Sequence, residues 1–209
     1  MPAAVQSLST GDEPGARWGE ALRLPMAFDA KALDAALIEM EAADWTPHFV
    51  PQHFTGEWSV IPLRAPAGAT HPIMQITSTP GEIDWVDTAL LAASAGFRAV
   101  LDGLPGPLYS ARLMRLGAGS QIHEHSDHDL VAEMGMVRLH IPVRTNPDVD
   151  FRLNGRRIAM AVGEVWYLRL ADRHSVNNRG KTDRVHLVVD APLNAALTAL
   201  LDAGEAAAH

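Results

Sequence analysis

From Leu108 onward the chain breaks into short runs, apolar or alternating apolar and polar, and this texture restricts the fold more than any other feature. The runs are Tyr109–Leu116, Met136–Arg144, Val149–Leu153, Glu164–Leu170 and Arg184–Asp190. Turn residues separate them at Gly117-Ala118-Gly119, Thr145-Asn146-Pro147, Asn154-Gly155 and Asn178-Arg179-Gly180. Asn-Gly between two such runs is the signature of a two-residue hairpin, because both central residues must adopt positive φ. Many short strands at regular spacing predict a mainly β protein built as a sandwich or jelly roll.

The first hundred residues read differently. Residues 1 to about 20 are rich in Ser, Gly, Pro and Ala without a period, and are expected to form a flexible tail ahead of a single domain over 21–209. Asp29 can cap a helix whose apolar positions Leu33, Ala36, Leu37 and Met40 recur at three-to-four spacing. Trp58–Arg64 reads as a strand. Ile83–Leu104 reads as one helix, stopped by Pro105-Gly106-Pro107, and Leu193–Leu201 as a last helix packed outside the sheets.

Composition excludes several classes. The 209 residues suffice for one domain that buries about 70% of its unfolded surface. A net charge of −8 argues against a nucleic-acid binder. No apolar run is long enough to span a bilayer. With no cysteine, thiolate zinc sites and iron–sulfur clusters are excluded, and a cytoplasmic location is expected.

The chemistry gathers in a few places. Residues 121–129 crowd His123, His125, Asp127, His128 and Asp129 together, too polar for an ordinary core strand. His125-x-Asp127 on an extended segment puts an imidazole and a carboxylate on one face, where both reach one ion. His174 completes a two-His, one-carboxylate set if an antiparallel partner returns it, and that set leaves three positions open on Fe(II). His123 competes with His125, since His123-x-His125 has the same spacing; the carboxylate of Asp127 favours the His125 set. Arg184 lies on a strand with Val185, Leu187, Val188 and Val189, so an inward guanidinium there needs an anion, whereas on an edge it faces water. Arg138 and His140 alternate with Val137, Leu139 and Ile141, and so face either solvent or a polar interior. Trp166 and His186 are candidates for the pocket lining, with packing favoured for Trp166.

The runs Ser120–Asp127, Val137–Val143 with Thr145-Asn146-Pro147, Gly163–Tyr167, His174–Asn177 and Arg184–Asp190 resemble the aspartyl/asparaginyl β-hydroxylase family, including bacterial members of the proline cis-4-hydroxylase type. The blocks cover about 108–192, with a weaker echo at Trp58 and Ile61–Leu63. The resemblance implies a cupin-like double-stranded β-helix with flanking helices, and a dioxygenase using Fe(II), 2-oxoglutarate and O2. It implies His125, Asp127 and His174 as iron ligands, and Arg184 on the distal carboxylate of 2-oxoglutarate. His140 would meet the oxalyl end, and Arg138 that end or an anionic substrate. Asp127 is present where the mammalian-type peptidyl hydroxylases lack a carboxylate. The substrate implied is a free amino acid, or an aspartyl, asparaginyl or carrier-tethered residue. Trp58 and Arg64, in the half that also holds His53 and His71, are the candidate substrate contacts. The alternatives are a cupin-type non-oxidative isomerase and a non-catalytic small-molecule-binding jelly roll.

Overall fold

A computed structural model describes residues 16–76, 84–127 and 130–207. The expected tail over residues 1–15, the first residue of the Ile83 helix, and the pair His128-Asp129 lie outside the described residues. Two antiparallel sheets face each other. The larger runs in the order Glu205–Ala206, Ala21–Ala27, Glu164–Leu168, Met136–Arg144, Arg184–Pro192, Ala111–Leu116, Trp58–Pro66, Thr46–Pro47, with Trp85–Asp87 also on Trp58–Pro66. The smaller runs Arg156–Arg157, Val149–Leu153, His174–Asn178, Gln121–His125, Phe54–Thr55. This is the expected jelly roll.

Strand alternation explains how the large sheet carries two different faces. Val137, Leu139, Ile141 and Val143, with Val185, Leu187, Val189 and Ala191, pack outward under the helices in one apolar core with Leu33, Leu37 and Phe97. The intervening residues Arg138, His140, Arg184, His186 and Asp190 are all buried between the sheets. The question left open for Arg138 and His140 is thereby resolved: they face a polar interior. A second apolar core, including Trp58, Leu116, Phe151, Leu153 and Trp166, seals that interior around its polar centre.

Local signals act as expected in several places. Asp29 accepts from the amide of Ala32 at 2.8 Å and starts the helix Ala30–Met40. Asn154 and Gly155 take φ values of 50° and 75°, as a two-residue hairpin turn requires. Asn194 caps the last helix, Ala195–Asp202.

Two readings need correction, and two strands add to them. The single helix Ile83–Leu104 is instead the strand Trp85–Asp87 and two helices, Ala89–Ala93 and Ala95–Asp102. Thr88 and Ser94 each accept from an amide three residues on, so each starts a new helix where periodicity alone reads through. The strand Ala21–Ala27 was not foreseen, nor was His174–Asn178. The chain is docked before residue 21: the indole of Trp18 donates to Asp202 at 2.7 Å, and Arg17 pairs with the same carboxylate.

Candidate metal centre

His174 opens its strand directly across from His125 in the antiparallel register of the smaller sheet, and Asp127 follows just past the strand end. The amide of Asp127 donates to the carbonyl of Leu170 at 2.8 Å, which fixes that turn. One ligand atom from each of His125, Asp127 and His174 lies within 4.8 Å of the others. The imidazoles stand 4.3 Å apart, tilted by 53°. Nδ1 of His125 bonds the carbonyl of His123 at 2.8 Å, and Nδ1 of His174 bonds the carbonyl of Asp172 at 3.0 Å. A carbonyl only accepts, so both protons sit on Nδ1 and both Nε2 lone pairs are left for an ion. Burial, the largest influence, lowers the pKa of His174, which keeps that imidazole in its ligating neutral form.

The other candidate, His123, is turned away. Its Nδ1 meets the carbonyl of Gln52 at 3.1 Å and its Nε2 the hydroxyl of Thr55 at 2.8 Å. Both nitrogens are thus occupied by the chain segment laid across the strand.

Opposite the cluster, the polar row of the large sheet is arranged around Asp190. Arg138 donates to it from Nε at 2.6 Å and Nη2 at 2.9 Å, Arg112 from Nη2 at 3.0 Å, and Ser110 from its hydroxyl at 2.7 Å. Burial alone would raise the pKa of Asp190, but the two guanidiniums and the hydroxyl hold it well below the ordinary carboxylate range. Arg138 also reaches Asp127 at 3.2 Å, joining this hub to the metal cluster.

Arg184 is different. It is 3% exposed, and among the described residues no carboxylate pairs with it. Its Nε is buried without a partner, as are both ring nitrogens of His140. Burial draws Arg184 down to about 9. Burial also takes His140 well below the usual imidazole value, reinforced by the charges of Arg184 and Arg138. Orphaned buried polar groups are costly, so a row of them beside a two-His, one-carboxylate cluster fits a bound anion and metal.

These side chains line a cavity of about 360 Å3. It takes in His125, Asp127, His174, Arg138, His140 and Arg184, so the expected metal and co-substrate residues meet in one space. Trp58 also lines it, with His48 stacked on its indole at 3.5 Å and 6°. Arg64 does not: its guanidinium pairs with Asp87 and donates to the carbonyls of Tyr109 and Trp85. On the Asp190 side the cavity is lined by Arg112 as well as Arg138. Arg112 shares a strand with Leu113 and points inward by the same alternation that singles out Arg184, so the signal was there to read. His48, on a half-buried segment after the first helix, has no such signal. Trp166 packs in the inter-sheet core with its indole on Glu164 at 2.9 Å.

The family model for aspartyl/asparaginyl beta-hydroxylase matches residues 94–192, from the second short helix to the end of the last long strand. Over those residues, a little under half of its length, the chain is similar to the aspartyl/asparaginyl β-hydroxylase family. The L-proline cis-4-hydroxylase of Rhizobium meliloti (strain 1021) is 32% identical over 79 residues, which are 38% of this chain and 28% of that protein. The chain thus matches little more than a quarter of that relative's length. Two solved structures share the fold. A 2OG-Fe(II) oxygenase family oxidoreductase from Burkholderia pseudomallei superposes with a TM-score of 0.53 at 19% identity, covering 84% of this chain and 86% of that one. A Pseudomonas putida prolyl-4-hydroxylase does so with a TM-score of 0.53 at 12% identity, covering 84% and 93%.

Proposed function

We propose that this chain is a single-domain Fe(II)- and 2-oxoglutarate-dependent dioxygenase that hydroxylates an unactivated C–H of an amino acid or of an aspartyl or asparaginyl residue. The observation that carries the reading is one cavity joining a two-His, one-carboxylate cluster to a buried Arg184 that no described carboxylate neutralises. The family match over 94–192 and the likeness to an L-proline cis-4-hydroxylase support it. A cupin-type isomerase does not need an arginine facing a co-substrate.

His125, Asp127 and His174 would hold the iron, with Nε2 of each imidazole as donor. Bound there, Fe(II) with 2-oxoglutarate and O2 supplies the oxidising power for C–H hydroxylation, with succinate and CO2 released. Arg184 would bind the distal carboxylate of 2-oxoglutarate, and His140, whose ring nitrogens are buried without a partner, would meet its oxalyl end. Arg138, already shared between Asp190 and Asp127, acts by orienting Asp127. Trp58 and Arg112 would face the substrate, the arginine meeting a carboxylate. The surrounding apolar residues exclude water from the reacting C–H. No side chain need serve as nucleophile or general acid. The cytoplasmic location expected from the cysteine-free composition belongs to the same proposal.

The test is succinate release from 2-oxoglutarate by the iron-loaded protein with a panel of free amino acids and Asp- or Asn-containing peptides. Stimulation by at least one, lost in His174→Ala, is the expected result. Wild-type protein that holds iron yet forms no succinate with any of them counts against the reading.

A further inference from the structure

Arg184 and His186 stand two apart on one strand, so both side chains project into the interior of the jelly roll. Nη2 of Arg184 lies 2.9 Å from Nδ1 of His186. A guanidinium only donates, so Nδ1 of this imidazole accepts and its proton sits on Nε2. His186 is 1% exposed and its ring stands 5.9 Å from that of His140. Phe151 closes the other side, its ring centroid 5.9 Å from the guanidinium carbon of Arg184.

We infer that His186 is a positioning residue: a neutral acceptor that orients Arg184 while leaving its charge free for the distal carboxylate of the co-substrate. The inference rests on the proposed function and deepens it. A buried arginine must be held by something, because its long side chain otherwise loses rotamer freedom on binding. The usual holder is a carboxylate, as Asp190 is for Arg138 in the same interior. A carboxylate at position 186 would neutralise the guanidinium and compete with the incoming dicarboxylate. An imidazole accepting through Nδ1 fixes the plane of the guanidinium without cancelling its charge. The same interior therefore treats its arginines in two ways: Arg138 and Arg112 share the carboxylate of Asp190, whereas Arg184 has an imidazole and no described carboxylate.

Three substitutions separate this role from packing. Asn places an amide oxygen where Nδ1 now accepts, Leu removes the acceptor, and Asp supplies an acceptor that carries charge. The measurement is calorimetric binding of 2-oxoglutarate to the Mn(II)-loaded protein without turnover, with Mn(II) affinity recorded for each variant. His186→Asn is expected to bind within about threefold of wild type. His186→Leu should bind at least about tenfold more weakly, the order of one hydrogen bond to a charged group. His186→Asp should bind more weakly still, with Mn(II) affinity unchanged throughout. Asn and Asp that bind alike, or Leu that binds like wild type, overturns the inference. The Asn and Asp comparison decides alone if the Leu variant does not fold. Wild-type protein that holds Mn(II) but not 2-oxoglutarate contradicts the proposed function itself.

Discussion

Arg138 meets Asp190 through two donors, Nε at 2.6 Å and Nη2 at 2.9 Å, and still reaches Asp127 from Nη1 at 3.2 Å. One guanidinium thus ties a metal-ligand candidate to a carboxylate on the opposite sheet. Arg112 draws on the same carboxylate, so removing Asp190 leaves two buried cations with one acid fewer between them.

Asp190→Asn is accordingly expected to destabilise the protein by about 3–5 kcal/mol, the range for breaking a buried ion pair from one side. Urea denaturation of the metal-free protein measures it. A loss below about 1 kcal/mol would show that the arginines find other partners.

The metal cluster carries a separate expectation. His125→Ala, Asp127→Ala and His174→Ala should each weaken Mn(II) binding by about tenfold or more, whereas His123→Ala should leave it within about threefold. The contrast follows from the hydrogen bonds of His123 to Gln52 and Thr55, which engage both ring nitrogens away from the cluster. Calorimetric titration of the four variants settles it, and a His123→Ala loss equal to that of His125→Ala would reassign the ligand.

Acid should destabilise the metal-free protein well before its carboxylates titrate. Burial holds His140 and His186 well below the usual imidazole value and brings His48 down to about 4. Unfolding lets these rings take up protons near pH 6.5, so the unfolded state binds more protons below that pH. Stability is fully present above pH 6.5 and falls as pH drops toward the folded values, by up to about 1.4 kcal/mol per pH unit for each ring. The urea midpoint should therefore be flat between pH 7 and 8.5 and decline from 6.5 to 5. A midpoint that holds or rises on acidification contradicts this.

Gly163 anchors the strand Ala21–Ala27 region to the sheet. Its φ is +85°, its amide donates to Pro142 at 2.9 Å, and its carbonyl accepts from Phe28 at 2.8 Å. A Cβ there would run into the carbonyl oxygen of Phe28, which is backbone and cannot turn aside. Gly163→Ala should cost about 2 kcal/mol or more in stability, measured as a lowered thermal midpoint. A neutral substitution would mean that the Phe28 segment moves freely.

Legibility in the sequence followed how local each signal is. The hairpin at Asn154-Gly155 and the cap at Asp29 were readable because a few adjacent residues decide them. The inward row Arg184, His140 and Arg138 was readable as an alternation, but its environment was not, since the same pattern describes a wet face. Tertiary contact decides that, through the second sheet laid over it. The strand His174–Asn178 escaped because His-Ser-Val-Asn-Asn is mostly polar; it is a strand because its neighbours Val149–Leu153 and Gln121–His125 pair with it on both sides. Arg64 reads as a substrate cation because the sequence does not show its partner: Asp87 claims it, and the cationic side chains in the cavity are Arg112, Arg138 and Arg184.

The most direct measurement is anaerobic titration of the Fe(II)-loaded protein with 2-oxoglutarate, followed by visible absorbance. A metal-to-ligand charge-transfer band that grows to saturation with wild type and is absent in Arg184→Ala at the same concentrations is the expected result. Protein that holds Fe(II) and gives no band at saturating 2-oxoglutarate would contradict the dioxygenase reading at its centre.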